Sequence, residues 1–423
     1  MASGDTSPAQ IDFRDPQNIA DPYPHFRALL ANNDHVHWNT SIQGWCLTSY
    51  KDVTASLLDP RLSANRIRPF VEHTVRNQGE AASEAISMLG ECLSLWMVFN
   101  DGQRHTHLRK LANKAFTRRA VFALQPRIGQ IVDEQLDRFV GRDSFDFMAE
   151  FSWLVPARVI ADMLGVPEED VDDLKRWSDD LAKFVLASRI DPEKYNTAAA
   201  SLAEMNEYFE HLIEARRASP GDKIIDGLIT AHDGEELLSL PELVASCVLL
   251  LFAGHETTAH FFSNGLRGLI LFPDELEKLR RNLDDDRYVT NAGEELMRWD
   301  GPSLSSVRVL TEDVDWTSGD QTVAMKKDQR VFTFVAAANH DARVFPEPQR
   351  IDLARENARR QLSFGHGIHM CLGANLARLE GLVGFSKIAT RMRDISICDP
   401  QPEWMDTLIT RGVKHLHIKA EVS

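Results

Sequence analysis

Ten residues near the end of the chain constrain it more than any other stretch: Phe364-Gly365-His366-Gly367-Ile368-His369-Met370-Cys371-Leu372-Gly373. One cysteine stands among three glycines, and a long helical pattern follows at once. Glycine lets backbone approach a flat, bulky object closely. Cys371 falls just before a helix start, where unpaired N–H groups and the positive dipole end stabilise a thiolate. A solitary thiolate is a poor zinc site, because zinc takes four ligands. It is a good axial ligand for haem iron, whose equatorial positions the macrocycle fills. A lone cysteine is usually a buried structural residue; the ten-residue spacing reverses that preference.

The rest of the chain offers a large helical scaffold. Helical patterning covers residues 103–116, 120–140, 148–164, 168–188, 193–218, 241–272, 274–283, 287–299 and 374–392. Pro167, Pro241 and Pro273 stand at first-turn positions. A hairpin is expected over 34–50 and strands over 305–337, followed by a Pro-rich irregular stretch and a β-rich tail. The 423 residues allow two or three domains by length. The patterning instead predicts a polar tail over 1–20 and one domain over 21–423, mainly α with a small β-sheet portion built from both ends.

Charge and cysteine usage exclude several classes. With 63 Asp+Glu against 47 Lys+Arg the net charge is −16, which argues against nucleic acid or anionic membrane as main partner. Five cysteines at long spacings, with no CxxC, argue against a disulfide framework and for a reducing compartment. The N-terminal residues show no signal-peptide pattern. The strictly apolar run Val248 to Ala253, with its flanks, falls short of the roughly 20 residues of a membrane span. A cytoplasmic protein without a membrane anchor is expected.

Residues 243–262, LVASCVLLLFAGHETTAHFF, read as a buried helix with polarity inserted at Glu256-Thr257-Thr258. A threonine hydroxyl can bond the carbonyl four residues back, here Ala253, and loosen the helix locally. HETTAH imitates the zinc-protease H-E-x-x-H but misses by one residue. His255 and His260 lie about 140° apart around a helix and share no face.

Taken together, these motifs resemble the cytochrome P-450 family. FGHGIHMCLG is similar to its haem-ligand signature F-G-x-G-x-H/R-x-C-x-G, and the other family marks follow in order from about Pro22 to His417. The resemblance is closest to the soluble bacterial type. It implies haem b (iron protoporphyrin IX) on the Cys371 thiolate, with Phe364 and Gly365 in the haem loop. It assigns Glu256 and Thr257, in A-G-x-D/E-T-T, to proton delivery. It assigns His105 and Arg109 (H-x-x-x-R), Arg308 and His369 to the haem propionates. The text NDGQRHTHLR departs from the usual D-P-P-x-H-T-x-x-R, which makes Arg104 and His107 unusual. The resemblance also implies a structural triad of Glu295, Arg298 and Arg350. It places the substrate among Leu95 to Phe99, with Trp96, and Leu249, Phe252, Ala253, Leu304, Ser305, Ser306, Leu408 and Ile409.

The implied activity is a haem-thiolate monooxygenase that inserts one atom of dioxygen into a C–H or C=C bond of a lipophilic organic substrate. A peroxide-using hydroxylase or gas reductase, and a gas sensor or carrier, are the alternatives. Since no flavin or iron–sulfur module is expected in the chain, electrons should come from a separate ferredoxin and its reductase. Residues 104–119 carry six Lys/Arg and no Asp/Glu, a basic run on an acidic protein to which an acidic ferredoxin would be steered.

Overall fold

The computed structural model describes residues 11–77, 80–186, 192–233 and 236–423. Its axis is the 32-residue helix Leu240–Leu271. Ser239 and Glu242 close its N-terminus as a capping box, and Pro241 sits in the first turn, where a missing N–H costs nothing. Buried side chains occupy all its faces, from Leu243 to Leu269. By length and composition this helix could cross a membrane. The sequence expectation measured only the strictly apolar run and missed this; here the helix forms the centre of the core.

Around it pack Leu154–Leu164, Pro192–Ala218, Asp286–Asp300 and Ala374–Arg391. Small residues set the closeness of these contacts. A Cβ at Gly254 would lie 2.6 Å from Ile160 Cδ1, and one at Gly265 2.5 Å from Phe385. Close packing of this kind leaves little room for added methyl groups.

The expected hairpin forms from Val36–Asn39 and Gly44–Leu47. It joins a five-stranded sheet with Arg330–Thr333, Ser306–Leu310 and Leu62–Ser63, in that order. Register sets Val331 opposite Trp45 on one side and Arg308 on the other, and Ser63 opposite Val309. The β-rich tail pairs Met392–Ile397 with His417–Val422 and then Ser144–Asp146.

Four expectations need correction. Residues 11–20 are not a tail: Ile11, Phe13 and Ile19 are buried, Pro16–Ala20 is helical, and Arg411 donates to Ile19 O (3.0 Å). Their apolar side chains were too widely spaced to show a period; residues 1–10 of that expectation lie outside the described residues. The helix expected over 120–140 is two, Arg118–Phe122 and Gln125–Asp137. Pro126 has no N–H for a bond to residue 122 and restarts the helix instead. Residues 148–164 begin as a π-helical turn, Met148–Ser152, before Leu154–Leu164. Within the expected strands, Val335–Ala338 is helical, in keeping with three alanines released from the sheet. The last residues of the 168–188 expectation lie outside the described residues; the observed helix is Val171–Val185.

Candidate active site

A cavity of about 380 Å³ lies where the central helix meets the cysteine loop. The loop is wound tightly. Gly365 N donates to Leu362 O (2.8 Å), and Cys371 N to Phe364 O (2.8 Å). Gly365 and Gly367 take φ of 71° and 73°, left-handed values that side chains avoid. A Cβ at Gly367 would also meet Leu57 O at 3.0 Å. This winding leaves the Cys371 side chain accessible, but to the cavity, just before the helix that starts at Ala374. Burial raises the thiol pKa, while the Gly373 N–H and the charges of Arg109 and Arg378 pull it down. Coordination to a metal would deprotonate it outright.

The central helix supplies Ala253, Glu256 and Thr257 to the same cavity. Thr257 Oγ1 donates to Ala253 O at 2.9 Å, the bond the sequence suggested. Thr258 repeats the pattern onto Gly254 O (3.1 Å). The expected loosening is absent, for the helix runs unbroken through both. Glu256 Oε1 has no hydrogen-bond partner among the described residues and lies 3.8 Å from His260 Nε2. The His260 ring is wedged against Gly412, whereas His255 bonds Leu251 O (2.8 Å) and packs on Trp153. The two histidines thus face different neighbours.

Cationic groups gather at the loop edge. Arg109 and Arg308 line the cavity. Arg308 reaches Ser306 Oγ (2.7 Å), but neither arginine meets a carboxylate among the described residues. Burial lowers the pKa of both. His369 lines the cavity and His105 stands behind it, rings 4.3 Å apart. Burial, then the charges of His369 and Arg109, lower His105 to about 4. His105 is therefore neutral at pH 7 and offers a hydrogen bond rather than a charge.

Two groups of expected residues are placed differently. Arg350 is not the third member of the ion-pair network. Its side chain is 69% exposed and lies 3.7 Å from Glu347, while its carbonyl accepts from Arg298 (3.0 Å). The third member is Arg355, whose Nε lies 3.0 Å from both oxygens of Glu295. Arg298 meets the same carboxylate at 2.7 and 2.8 Å, and both side chains are fully buried. Arg350 closes a turn in which its N–H donates to Glu347 O (3.0 Å) and Glu347 takes a φ of 48°; Arg355 follows five residues later. Leu304 and Leu408 do not line the cavity; they pack with Ile11, Phe13 and Phe26 in a separate core. Only the Leu408 carbonyl turns toward the site, accepting from Ser305 Oγ (2.5 Å). Trp96, Leu249, Phe252, Ser305 and Ile409 do line the cavity, as do Phe364 and Gly365.

Three residues escaped the sequence reading. Asp101 accepts from His369 Nε2 (2.9 Å), Ser63 Oγ (2.5 Å) and Ala64 N (3.0 Å). Burial would raise its pKa, but these bonds, His369 first, hold it at about 2. Glu380 lines the cavity, is 1% exposed, and burial pushes it up to about 8. Thr258 stands near enough to favour its charge slightly, but that hydroxyl is spent on Gly254, and both Glu380 oxygens lack a partner among the described residues. A glutamate between Leu379 and Val383 on an apolar stripe was the available signal. Arg66 also lines the cavity, and no motif marked it.

The donor set fits a flat dianionic macrocycle holding iron. A lone thiol faces the cavity, glycines shape its floor, and arginines line it without carboxylate partners among the described residues.

Comparison with known proteins agrees. Residues 71–393 match the profile of the family described as Cytochrome P450. A vitamin D(3) 25-hydroxylase of Pseudonocardia autotrophica is 33% identical over 99% of this chain and 98% of its own. The cytochrome P450 monooxygenase PikC of Streptomyces venezuelae is 35% identical over 95% and 91%. Among solved structures, P450BioI in complex with an acyl carrier protein ligated to hexadec-9Z-enoic acid superposes with a TM-score of 0.85. It is 29% identical and covers 96% of this chain and 99% of that one.

Proposed function

The chain belongs to the cytochrome P450 family, and from that premise we propose a monooxygenase that oxidises a lipophilic organic substrate with electrons from a separate ferredoxin. The enzyme is an oxidoreductase with haem b on a cysteine thiolate. The observation that carries the reading is one cavity containing the Cys371 side chain together with Ala253, Glu256 and Thr257. We take residues 21–423 as one catalytic domain, here with 11–20 packed onto it.

The chemistry that haem supplies when bound is activation of dioxygen, with one oxygen atom passing to substrate and the other leaving as water. In this reading the Cys371 thiolate would hold the haem iron and supply it with electron density. Arg109, Arg308 and His369 would hold the propionates; His105, expected with them, lies against the His369 ring instead of lining the cavity and would support it, and Asp101 would fix the His369 ring. The Thr257 proton is spent on Ala253, so the hydroxyl oxygen presents acceptor lone pairs to the cavity. To pass a proton it must swing off Ala253. Glu256, with a free carboxylate oxygen, is the group that resupplies it.

Trp96, Leu249, Phe252 and Ile409 give the cavity apolar walls, which suit a lipophilic substrate. Trp96 stacks on Phe99 (5.9 Å) and contacts Phe252 (5.4 Å), so this wall is rigid. Lys110, Lys114, Arg118 and Arg119 are exposed on the 104–119 stretch and form the proposed ferredoxin face. Arg104, on the same stretch, pairs with Glu242 at 3.1 Å. Five free cysteines suit the proposed cytoplasmic location.

The test is Cys371→Ala and Cys371→His. Each should abolish the thiolate-type spectrum of the reduced carbon monoxide complex. A spectrum unchanged from the parent in either variant would remove Cys371 as ligand, and the mechanism with it.

A further inference from the structure

We propose that Arg66 is a propionate ligand, its guanidinium and that of Arg308 holding one haem carboxylate between them. The proposal rests on the haem reading of the cavity. Failure of that reading would appear separately, as a parent enzyme without a thiolate spectrum.

Arg66 lies between the strand Leu62–Ser63 and the helix Ile67–Asn77. Its backbone N–H is tied to Ala64 O (2.8 Å), and its guanidinium carbon stands 5.1 Å from the centre of the Phe99 ring. The side chain lines the cavity and meets no carboxylate among the described residues. Arg308 lines the same cavity; burial, and then that like charge, lower Arg66 to about 10. Two neighbouring guanidinium groups in a mostly apolar cavity repel each other unless an anion lies between them.

Among the described residues no carboxylate meets either guanidinium. Asp101, whose charge Arg308 senses, is already committed to His369, Ser63 and Ala64. The missing group is a carboxylate, whether of haem or of substrate. Placement favours haem. Ala64 N is bonded to the carboxylate that holds His369, and Ser63 pairs with Val309 beside Arg308. Arg66 therefore belongs to the framework that anchors the cysteine loop. A bidentate arginine fork matches a carboxylate in geometry as well as charge.

The experiment compares holoenzymes of Arg66→Gln, Arg66→Lys and the exposed control Arg68→Gln by two readouts. These are the rate of haem transfer to excess apomyoglobin and the ferric/ferrous midpoint potential. Arg66→Gln should release haem roughly tenfold faster, the scale of one charge-assisted hydrogen bond. Its potential should fall, because a positive charge that favours the reduced state is gone. Arg66→Lys should lie between, and Arg68→Gln should match the parent. If Arg66→Gln folds poorly, Arg66→Lys decides, since it keeps the charge without the fork; parental transfer from it overturns the proposal. So do a parental rate and potential in Arg66→Gln. A third arm titrates the spin state with a hexadecenoic acid and its alcohol. Loss of acid binding alone, with haem retention intact, would assign Arg66 to a substrate carboxylate instead and overturn the propionate assignment.

Discussion

The Thr257 hydroxyl donates to the carbonyl of Ala253 at 2.9 Å, inside a helix that stays unbroken. A purely structural role would end with that bond. A catalytic role requires the hydroxyl to leave it during turnover. Thr257→Ala should keep haem content while product formed per nicotinamide oxidised falls by about an order of magnitude, the balance appearing as peroxide or excess water. Thr257→Ser should retain most coupling. Parental coupling in the alanine variant would make Thr257 only a satisfied helix residue.

Arg355 and Arg350 offer a contrast within one short stretch. Arg355→Ala leaves the buried Glu295 short of a partner and should cost about 3–5 kcal/mol in urea unfolding. Haem content on expression should drop with it. Arg350→Ala should stay within about 0.5 kcal/mol of the parent, since its side chain makes only an exposed pair with Glu347 and its carbonyl is kept. Equal losses in the two variants would contradict the ion-pair network described above.

Glu380 predicts a pH dependence. Its folded pKa of about 8 lies above the ordinary glutamate value. Between roughly pH 4.5 and 8 the folded state keeps a proton that the unfolded chain has released. Stability therefore falls as pH rises through that window, by on the order of a few kcal/mol for this group. Glu380→Gln removes the titration. Melting temperatures from pH 5 to 9 should decline more steeply in the parent than in the variant; parallel curves would mean Glu380 is ionised in the fold.

Reversing Lys110 and Lys114 to Glu should slow the first electron transfer from an acidic ferredoxin severalfold at low salt. Its dependence on ionic strength should flatten, with substrate affinity little changed. Stopped-flow reduction at several salt concentrations checks this, and parental rates would place the docking face elsewhere.

The local motifs were legible because their chemistry depends on spacing along one stretch. The cysteine loop, the Ala253 to Thr257 segment and the His105/Arg109 pair each lie on a single turn or helix. There, residue separation fixes relative position whatever the rest of the chain does. The sequence by itself determined the glycine-wound cysteine loop, the buried helix and the helical class of the fold. Only the tertiary structure decided that Arg355 rather than Arg350 meets Glu295, across 60 residues. It alone brought Arg66 and Arg308 to one cavity and withdrew Leu304 and Leu408 into another core. In loops and turns no period ties a side chain to a direction. Contacts between distant segments set that direction instead, and they exist only once those segments have packed.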